Sequence, residues 1–189
     1  VSPTRQPLRC GIVGDGYMGE VRRAVVGRSA RLELAVICEV DADTREGISD
    51  YPTTADFTEL LGLDLDIVFV CVPNRYAPEV CIASMQAGKH VFCEKPPGRS
   101  VGDIKAIRAA ENDDVKLMFG FNHRFHPAIL KAKIMVDSGQ LGKILNVRGV
   151  YGKSGGTGFR GSWRNDPTVS GGGILLDQGV HMLDLFRYF

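Results

Sequence analysis

Three groups of residues in this 189-residue chain have the types and spacing to do chemistry. The first is Gly14-Asp15-Gly16-Tyr17-Met18-Gly19, a G-x-G-x-x-G that directly follows the apolar run Leu8–Val13. Glycine permits a tight turn at the first position and a close backbone approach at the second. At the third it lets the following helix pack against the strand. The start of that helix, at Tyr17 and Met18, offers unpaired N–H groups and partial positive charge to a phosphate. The second feature is Glu39, 20 residues beyond Gly19 at the end of the run Leu32–Cys38. A carboxylate there accepts from both hydroxyls of an adenosine ribose and repels a 2′-phosphate, and no arginine follows it directly. Turn and acid together imply a bound dinucleotide, NAD in preference to NADP. A tight turn with no ligand is the alternative, and the acid argues against it. Asp41 is a competing acid, read instead as the N-cap of a short helix beginning near Ala42.

The third group is Asp177 and His181, four apart in an apolar segment, with Lys95 just after His90–Cys93. Oxidising an alcohol needs a base for the hydroxyl proton and a cofactor to take the hydride. Histidine is the side chain whose ordinary titration lies near neutrality, so His181 is the candidate to take that proton. Asp177 can orient His181 or substrate, and Lys95 can stabilise developing alkoxide character. On spacing alone Asp177 and His181 read as a hydrogen-bonded pair in a core, with Asp184 and Tyr188 continuing their stripe. Lys95 could equally be a surface lysine before a turn, but it ends a strand of the kind whose C-terminal edge binds ligands. Arg160, Trp163 and Arg164 lie in or beside a Gly-rich stretch and would contact a polyol or a phosphate, or form a loop anchored by the one Trp. His123 and His126 are expected in a loop or at a helix start. No cluster of His, Asp and Cys has metal-ligand spacing, so no metal is expected.

These groups need elements to position them. Strands are expected at Leu8–Val13, Leu32–Cys38, Asp66–Val72, His90–Cys93 and Val115–Phe121, as runs that suit a parallel sheet covered on both faces. Helices are expected at Tyr17–Arg28, Phe57–Leu61, Ala77–Ala87 closed by Gly88, and Val101–Asn112. This β-α-β alternation means an α/β, Rossmann-type doubly wound parallel sheet over residues 1–121. From 122 to 189 the pattern changes to a helix at Pro127–Ser138, a strand at Ile144–Tyr151, the Gly-rich stretch 152–161, and a helix at Ile174–Phe189, apolar nearly all round. That last helix needs cover on most sides. Residues 122–189 are therefore expected to begin a second domain whose remainder lies further along a longer protein or on another chain.

Composition narrows the partners. With 23 basic and 22 acidic residues the chain has no electrostatic footprint for nucleic acid or an anionic membrane. No apolar run reaches membrane-spanning length, and Val1–Pro7 lacks the apolar stretch of a signal peptide. The five cysteines, Cys10, Cys38, Cys71, Cys81 and Cys93, form no C-x-x-C, and four lie in apolar strand-like runs. They are expected to be reduced and buried, in a cytoplasmic protein.

Val72-Pro73-Asn74, Glu94-Lys95-Pro96 and G-G-G-I-L-L-D-Q-G-V-H at 171–181, with the glycine turn, resemble the glucose–fructose oxidoreductase / inositol dehydrogenase family from Leu8 to Phe189. The resemblance implies a Rossmann domain followed by an α/β domain on an open, mostly antiparallel sheet that often forms homo-oligomer contacts. It implies NAD(P)-dependent dehydrogenation of a sugar, sugar derivative or cyclic polyol. Pro73, Asn74 and Glu94 would join the glycine turn and Glu39 around the cofactor. Lys95, Asp177 and His181 would be the catalytic set, with Asn122, Arg124, Trp163 and Arg164 on the substrate side. This context turns the reading of Asp177 and His181 from structural to catalytic. One departure is Arg75-Tyr76-Ala77, where many members carry a histidine; it bears on the nicotinamide or substrate environment. Two other functions stay open: a cofactor-binding regulatory protein without turnover, and glycosidic cleavage or ring reduction on the same cofactor.

Overall fold

The computed structural model describes residues 6–152 and 162–189; Arg160 and the rest of 153–161 lie outside the described residues. The chain forms two compact units, Val1–Phe119 and Gly120–Phe189. In the first, β1 (Leu8–Val13), α1 (Tyr17–Val26), β2 (Leu32–Cys38), α2 (Ala42–Glu46), β3 (Thr53–Thr54), α3 (Phe57–Leu61), β4 (Ile67–Val70), α4 (Ala77–Gln86), β5 (His90–Cys93), α5 (Val101–Ala109) and β6 (Leu117–Phe119) alternate along the chain. The strands form one six-stranded sheet in the order β3-β2-β1-β4-β5-β6. Every pairing is parallel. The order reverses between β1 and β4, the switch point beside which open α/β sheets bind ligands.

The apolar runs became strands because both sheet faces are covered. Val68 and Val70 point into the larger cluster, with Leu60, Cys81, Met85, Val91, Cys93 and Ile107. The opposite face carries Ile12, Ile37 and Ile48, with Phe69, Cys71 and Tyr51 packed against them. Each fully buried Val, Leu, Ile or Met side chain of this kind contributes about 1.5–3 kcal/mol. Local signals set the helix ends: Ser100 and Asp103 form a capping box at α5, and Gly88 takes φ +73° just beyond α4. Strands β4 and β6 are shorter than the apolar runs that contain them, since hydrogen-bonded pairing stops before hydrophobicity does. The two-residue β3 has no apolar pattern and was not expected.

In the second unit a 3-10 turn (Asn122–Phe125) leads into α6 (Pro127–Asp137). A second 3-10 turn (Trp163–Asn165), α7 (Pro167–Ser170), a π-helical turn (Leu175–Gly179) and α8 (Val180–Tyr188) follow. The expected strand at Ile144–Tyr151 is not formed. A strand exists only by pairing, and among the described residues of this unit there is no other strand to pair with; Leu145 is 89% and Val150 82% exposed. The expected helix at Ile174–Phe189 is helical but opens with the π turn, a device that recurs at functional sites. It is amphipathic rather than enclosed: His181, Asp184 and Leu185 are buried, while Leu175 and Leu183 face outward.

Candidate functional site

Within the first unit, the site collects at the C-terminal edge of the sheet. Gly14 adopts φ +89°, and a Cβ on it would lie 2.9 Å from the carbonyl oxygen of Cys71. A Cβ on Gly19 would lie 2.1 Å from the Gly14 carbonyl oxygen, so no larger residue fits. A Cβ on Gly16 would meet nothing within 4 Å. Two glycines of the turn are thus demanded by packing, whereas the middle one borders open space. Tyr17, exposed, and Met18, half-buried, begin α1 there.

Glu39 lies across this turn. Its Oε2 accepts the Asp15 N–H at 2.7 Å, and its Oε1 accepts the Asp41 N–H at 2.9 Å. The Asp41 side chain caps α2, accepting the Thr44 N–H at 2.8 Å, which is the N-cap role expected of it. Arg45, passed over in the sequence, folds back to donate to the carbonyls of Glu39 at 2.8 Å and Val40 at 3.3 Å. Its guanidinium is engaged with backbone carbonyls, one of them that of Glu39 itself. The Asp15 side chain turns inward. It is buried, pairs with Arg23 at 3.3 Å, and its Oδ1 has no hydrogen-bond partner among the described residues. Burial holds its carboxyl above the ordinary value, against the pull of Arg23.

The loops after β4 and β5 complete this edge. Pro73 precedes the buried Asn74, and its carbonyl accepts the Tyr76 N–H at 2.9 Å. The Glu94 N–H donates to the Val70 carbonyl at 2.9 Å, carrying the β4–β5 pairing one residue past β5. Its carboxylate receives the Arg22 guanidinium, from Nε at 2.8 Å and from a second nitrogen. Arg22 also lies over the Phe92 ring at 4.5 Å. Lys95 follows, half-buried, joined to the buried Pro96 by a cis peptide bond. The cysteines are all free. Burial pushes the Cys10 and Cys38 thiols up to about 11 and Cys71 higher still, the opposite of what a nucleophile needs.

In the second unit, His181 is 4% exposed. The His123 ring stacks on it at 3.8 Å and 15°, Tyr151 stacks on His123 at 5.5 Å, and Phe121 meets His181 edge-on at 6.2 Å. His123, expected only as a loop or helix-start residue, is therefore the closest aromatic neighbour of the candidate base among the described residues. His126 caps α6 by accepting the Ala128 N–H at 3.2 Å, as a helix-start residue should. Asp177 accepts from the Gln178 amide at 2.8 Å and lies 3.7 Å from the Arg164 guanidinium. Arg164 in turn lies 4.5 Å over the Trp163 ring, so Trp163, Arg164 and Asp177 come together. Arg124 is committed elsewhere: its guanidinium forks onto the buried Asp184, with Nε–Oδ2 at 2.7 Å, and lies 5.1 Å over Tyr188. That bond to Asp184 holds the Arg124 pKa up. Asn122 opens the same 3-10 turn.

His123, Arg22 and Arg45 escaped sequence reading because each acts on a residue distant in sequence or on backbone, and no spacing rule encodes such contacts. Among the described residues no group of three or more His, Cys, Asp and Glu could hold a metal. No helix among them is long and apolar enough to cross a membrane.

The chain matches the sequence profile described as an oxidoreductase family with NAD-binding Rossmann fold over residues 8–121. It matches the profile of the GFO/IDH/MocA C-terminal domain over residues 129–189. It is 31% identical to the levoglucosan dehydrogenase of Pseudarthrobacter phenanthrenivorans over 97% of its own length and 51% of that protein's. Among solved structures it resembles myo-inositol 2-dehydrogenase from Lactobacillus plantarum, with TM-score 0.85, 29% identity, and coverage of 96% of this chain and 56% of that one. It also resembles a levoglucosan dehydrogenase in complex with NADH and levoglucosan, with TM-score 0.83, 30% identity, and coverage of 97% and 54%. The chain spans about half the length of the curated relatives it matches. The glycine turn with its facing acid, the sheet order and both profile matches agree: the chain belongs to the GFO/IDH/MocA family of oxidoreductases with an NAD-binding Rossmann fold.

Proposed function

We propose that this chain carries the cofactor domain and the proton-transferring residues of an NAD-dependent oxidoreductase acting on a secondary alcohol or ketone of a sugar, sugar derivative or cyclic polyol. The observation that carries the reading is Glu39, fixed by the Asp15 and Asp41 amides across a turn whose middle glycine faces open space. These residues fit a dinucleotide: Gly16 leaves room for a pyrophosphate against backbone N–H groups, and Glu39 presents a carboxylate to ribose hydroxyls and against a 2′-phosphate. NAD, when bound, supplies a hydride acceptor or donor. The relatives named for levoglucosan and myo-inositol, and the complex with NADH, support the substrate class and the cofactor.

In this reading residues 1–121 bind the cofactor, with Pro73, Asn74 and Glu94 beside the glycine turn. Residues 122–189 begin the substrate domain. His181 takes or returns the hydroxyl proton, Asp177 orients it or the substrate, and Lys95 stabilises negative charge developing on the reacting oxygen. Trp163 and Arg164, brought to Asp177, and Asn122 line the substrate side. Arg124 supports them through Asp184. Pairing of subunits through the C-terminal sheet, and a cytoplasmic location suited to five reduced thiols, belong to the same proposal.

The test is a calorimetric titration of the chain with NAD and NADP, followed by turnover of the full-length protein on levoglucosan and myo-inositol. NAD is expected to bind at least tenfold more tightly than NADP. Lys95→Ala and His181→Ala are each expected to lower kcat by about 10²–10⁴-fold, the range for loss of a positioned acid or base. Near-normal turnover in both variants defeats the assignment.

A further inference from the structure

The Arg22–Glu94 pair joins α1 directly to the end of β5, two parts of the first unit that the sheet connects only through β1 and β4. Arg22 sits on α1, three residues after Gly19 and so on the same face of the helix that begins at the phosphate-binding turn. Glu94 stands at the end of β5. In the sheet, β1, from which α1 departs, is separated from β5 by β4. The guanidinium therefore reaches past the switch point to the far half of the sheet. The contact is built, not incidental: the side chains are 18% and 12% exposed. Arg22 Nε and a second guanidinium nitrogen converge on one carboxylate oxygen, and the Phe92 ring lies 4.5 Å under the guanidinium. A buried charge pair of this kind contributes little net stability over an apolar pair of equal volume, so its presence asks for a positional reason.

That reason follows from the next residue. Glu94 is bonded at both ends, by its N–H to Val70 and by its carboxylate to Arg22. Lys95 is covalently next, and the buried Pro96 follows. We propose that Arg22 is a positioning residue: by clamping Glu94 to the cofactor helix it sets where Lys95 stands, so that the lysine is registered to the element that binds the dinucleotide. Resting on the dehydrogenase reading above, this inference also changes the part given to Glu94. Its carboxylate is engaged by Arg22 and serves the site through Lys95.

The test uses the full-length protein and the variants Arg22→Met, Arg22→Lys, Glu94→Leu and Arg22→Met/Glu94→Leu. Methionine keeps cover over Phe92 without the charge; lysine keeps the charge without the fork. Each is measured for NAD affinity, for kcat and KM on levoglucosan or myo-inositol, and for the pH dependence of Lys95 amine acylation by acetic anhydride, read by mass spectrometry. The expected result is a fall in kcat of at least tenfold in Arg22→Met and Glu94→Leu, with the NAD affinity of Arg22→Met within threefold of the parent. The double variant should be no worse than the poorer single one, and the Lys95 acylation profile should be displaced in all four. Unchanged kcat and an unchanged acylation profile in folded Arg22→Met overturn the inference, as do strictly additive effects in the double variant. If methionine prevents folding, Arg22→Lys carries the same two readouts. A parent protein that fails to bind NAD refutes the functional reading instead; the acylation profile then still decides whether Arg22 positions Lys95.

Discussion

Two glycines three positions apart show how one residue type serves different ends. Gly19 has backbone 2.1 Å from where a Cβ would lie, while Gly16 has nothing within 4 Å. Gly19→Ala is therefore expected to destabilise the first unit by about 1–3 kcal/mol or more through overpacking against backbone that cannot yield. Gly16→Ala crowds nothing and should cost no more than about 1 kcal/mol, the scale of the N-cap preference for glycine over alanine, yet weaken NAD binding at least tenfold. Urea unfolding and NAD titration of both variants check this; a Gly16→Ala chain that binds NAD normally would remove the turn from the cofactor site. Both roles could be read from G-x-G-x-x-G. The inward turn of Asp15, in the same motif, could not: the motif leaves that position free, and only α1 packed above it shows Arg23 within reach.

Elements are held by contacts that spacing partly announces. The capping box at Ser100 and Asp103, the Asp41 cap and the helix-closing Gly88 are local, and local chemistry is legible in sequence. The fork from Arg124 on its 3-10 turn to Asp184 on α8 spans 60 residues and is not. Asp184 lies deep in this unit while Arg124 is 40% exposed, so the pair is worth more than a surface bridge and less than a fully buried one. Asp184→Asn should lower the stability of the second unit by about 1.5–3 kcal/mol, the scale of a charge-assisted hydrogen bond. Fluorescence of Trp163, the one tryptophan, reports that unit during denaturation. An unchanged midpoint would show that α8 is held without the fork. The sequence stripe Asp177, His181, Asp184, Tyr188 divides in the structure: its first half meets Arg164 and His123, its second Arg124.

For the molecule as a whole, stability depends on pH through groups whose proton affinity changes on folding. Burial raises the Asp15 carboxyl above its ordinary 3.8. A carboxyl raised in the folded state binds its proton more tightly there than when unfolded. Its ionisation thus opposes folding, fully so above the folded pKa and not at all well below 3.8. Asp15→Asn is accordingly expected to be more stable than the parent at pH 7. The gain should shrink as pH falls through the folded pKa and vanish at the acid end. Denaturation midpoints of both proteins from pH 7 downward test this, and a gain that persisted or grew on acidification would contradict the cause assigned.

What the sequence determined by itself was everything carried by short-range pattern. Continuous apolar runs specified buried parallel strands, with β1, β2 and β5 bounded as expected. Their alternation with helices specified the doubly wound sheet, and the glycine turn with Glu39 led to the expectation of a dinucleotide, in agreement with the NAD-binding family to which the chain belongs. These are legible because hydrophobic period and backbone sterics act over a few residues. Tertiary structure decided what depends on neighbours brought from afar. Among the described residues it left Ile144–Tyr151 without a strand to pair with; it placed His123 against His181 and spent the Arg45 guanidinium on backbone carbonyls. It also carried Arg22 across the switch point to Glu94. Each is a meeting of groups tens of residues apart or a bond to backbone, and a side chain's partner there is set by packing that no local pattern records.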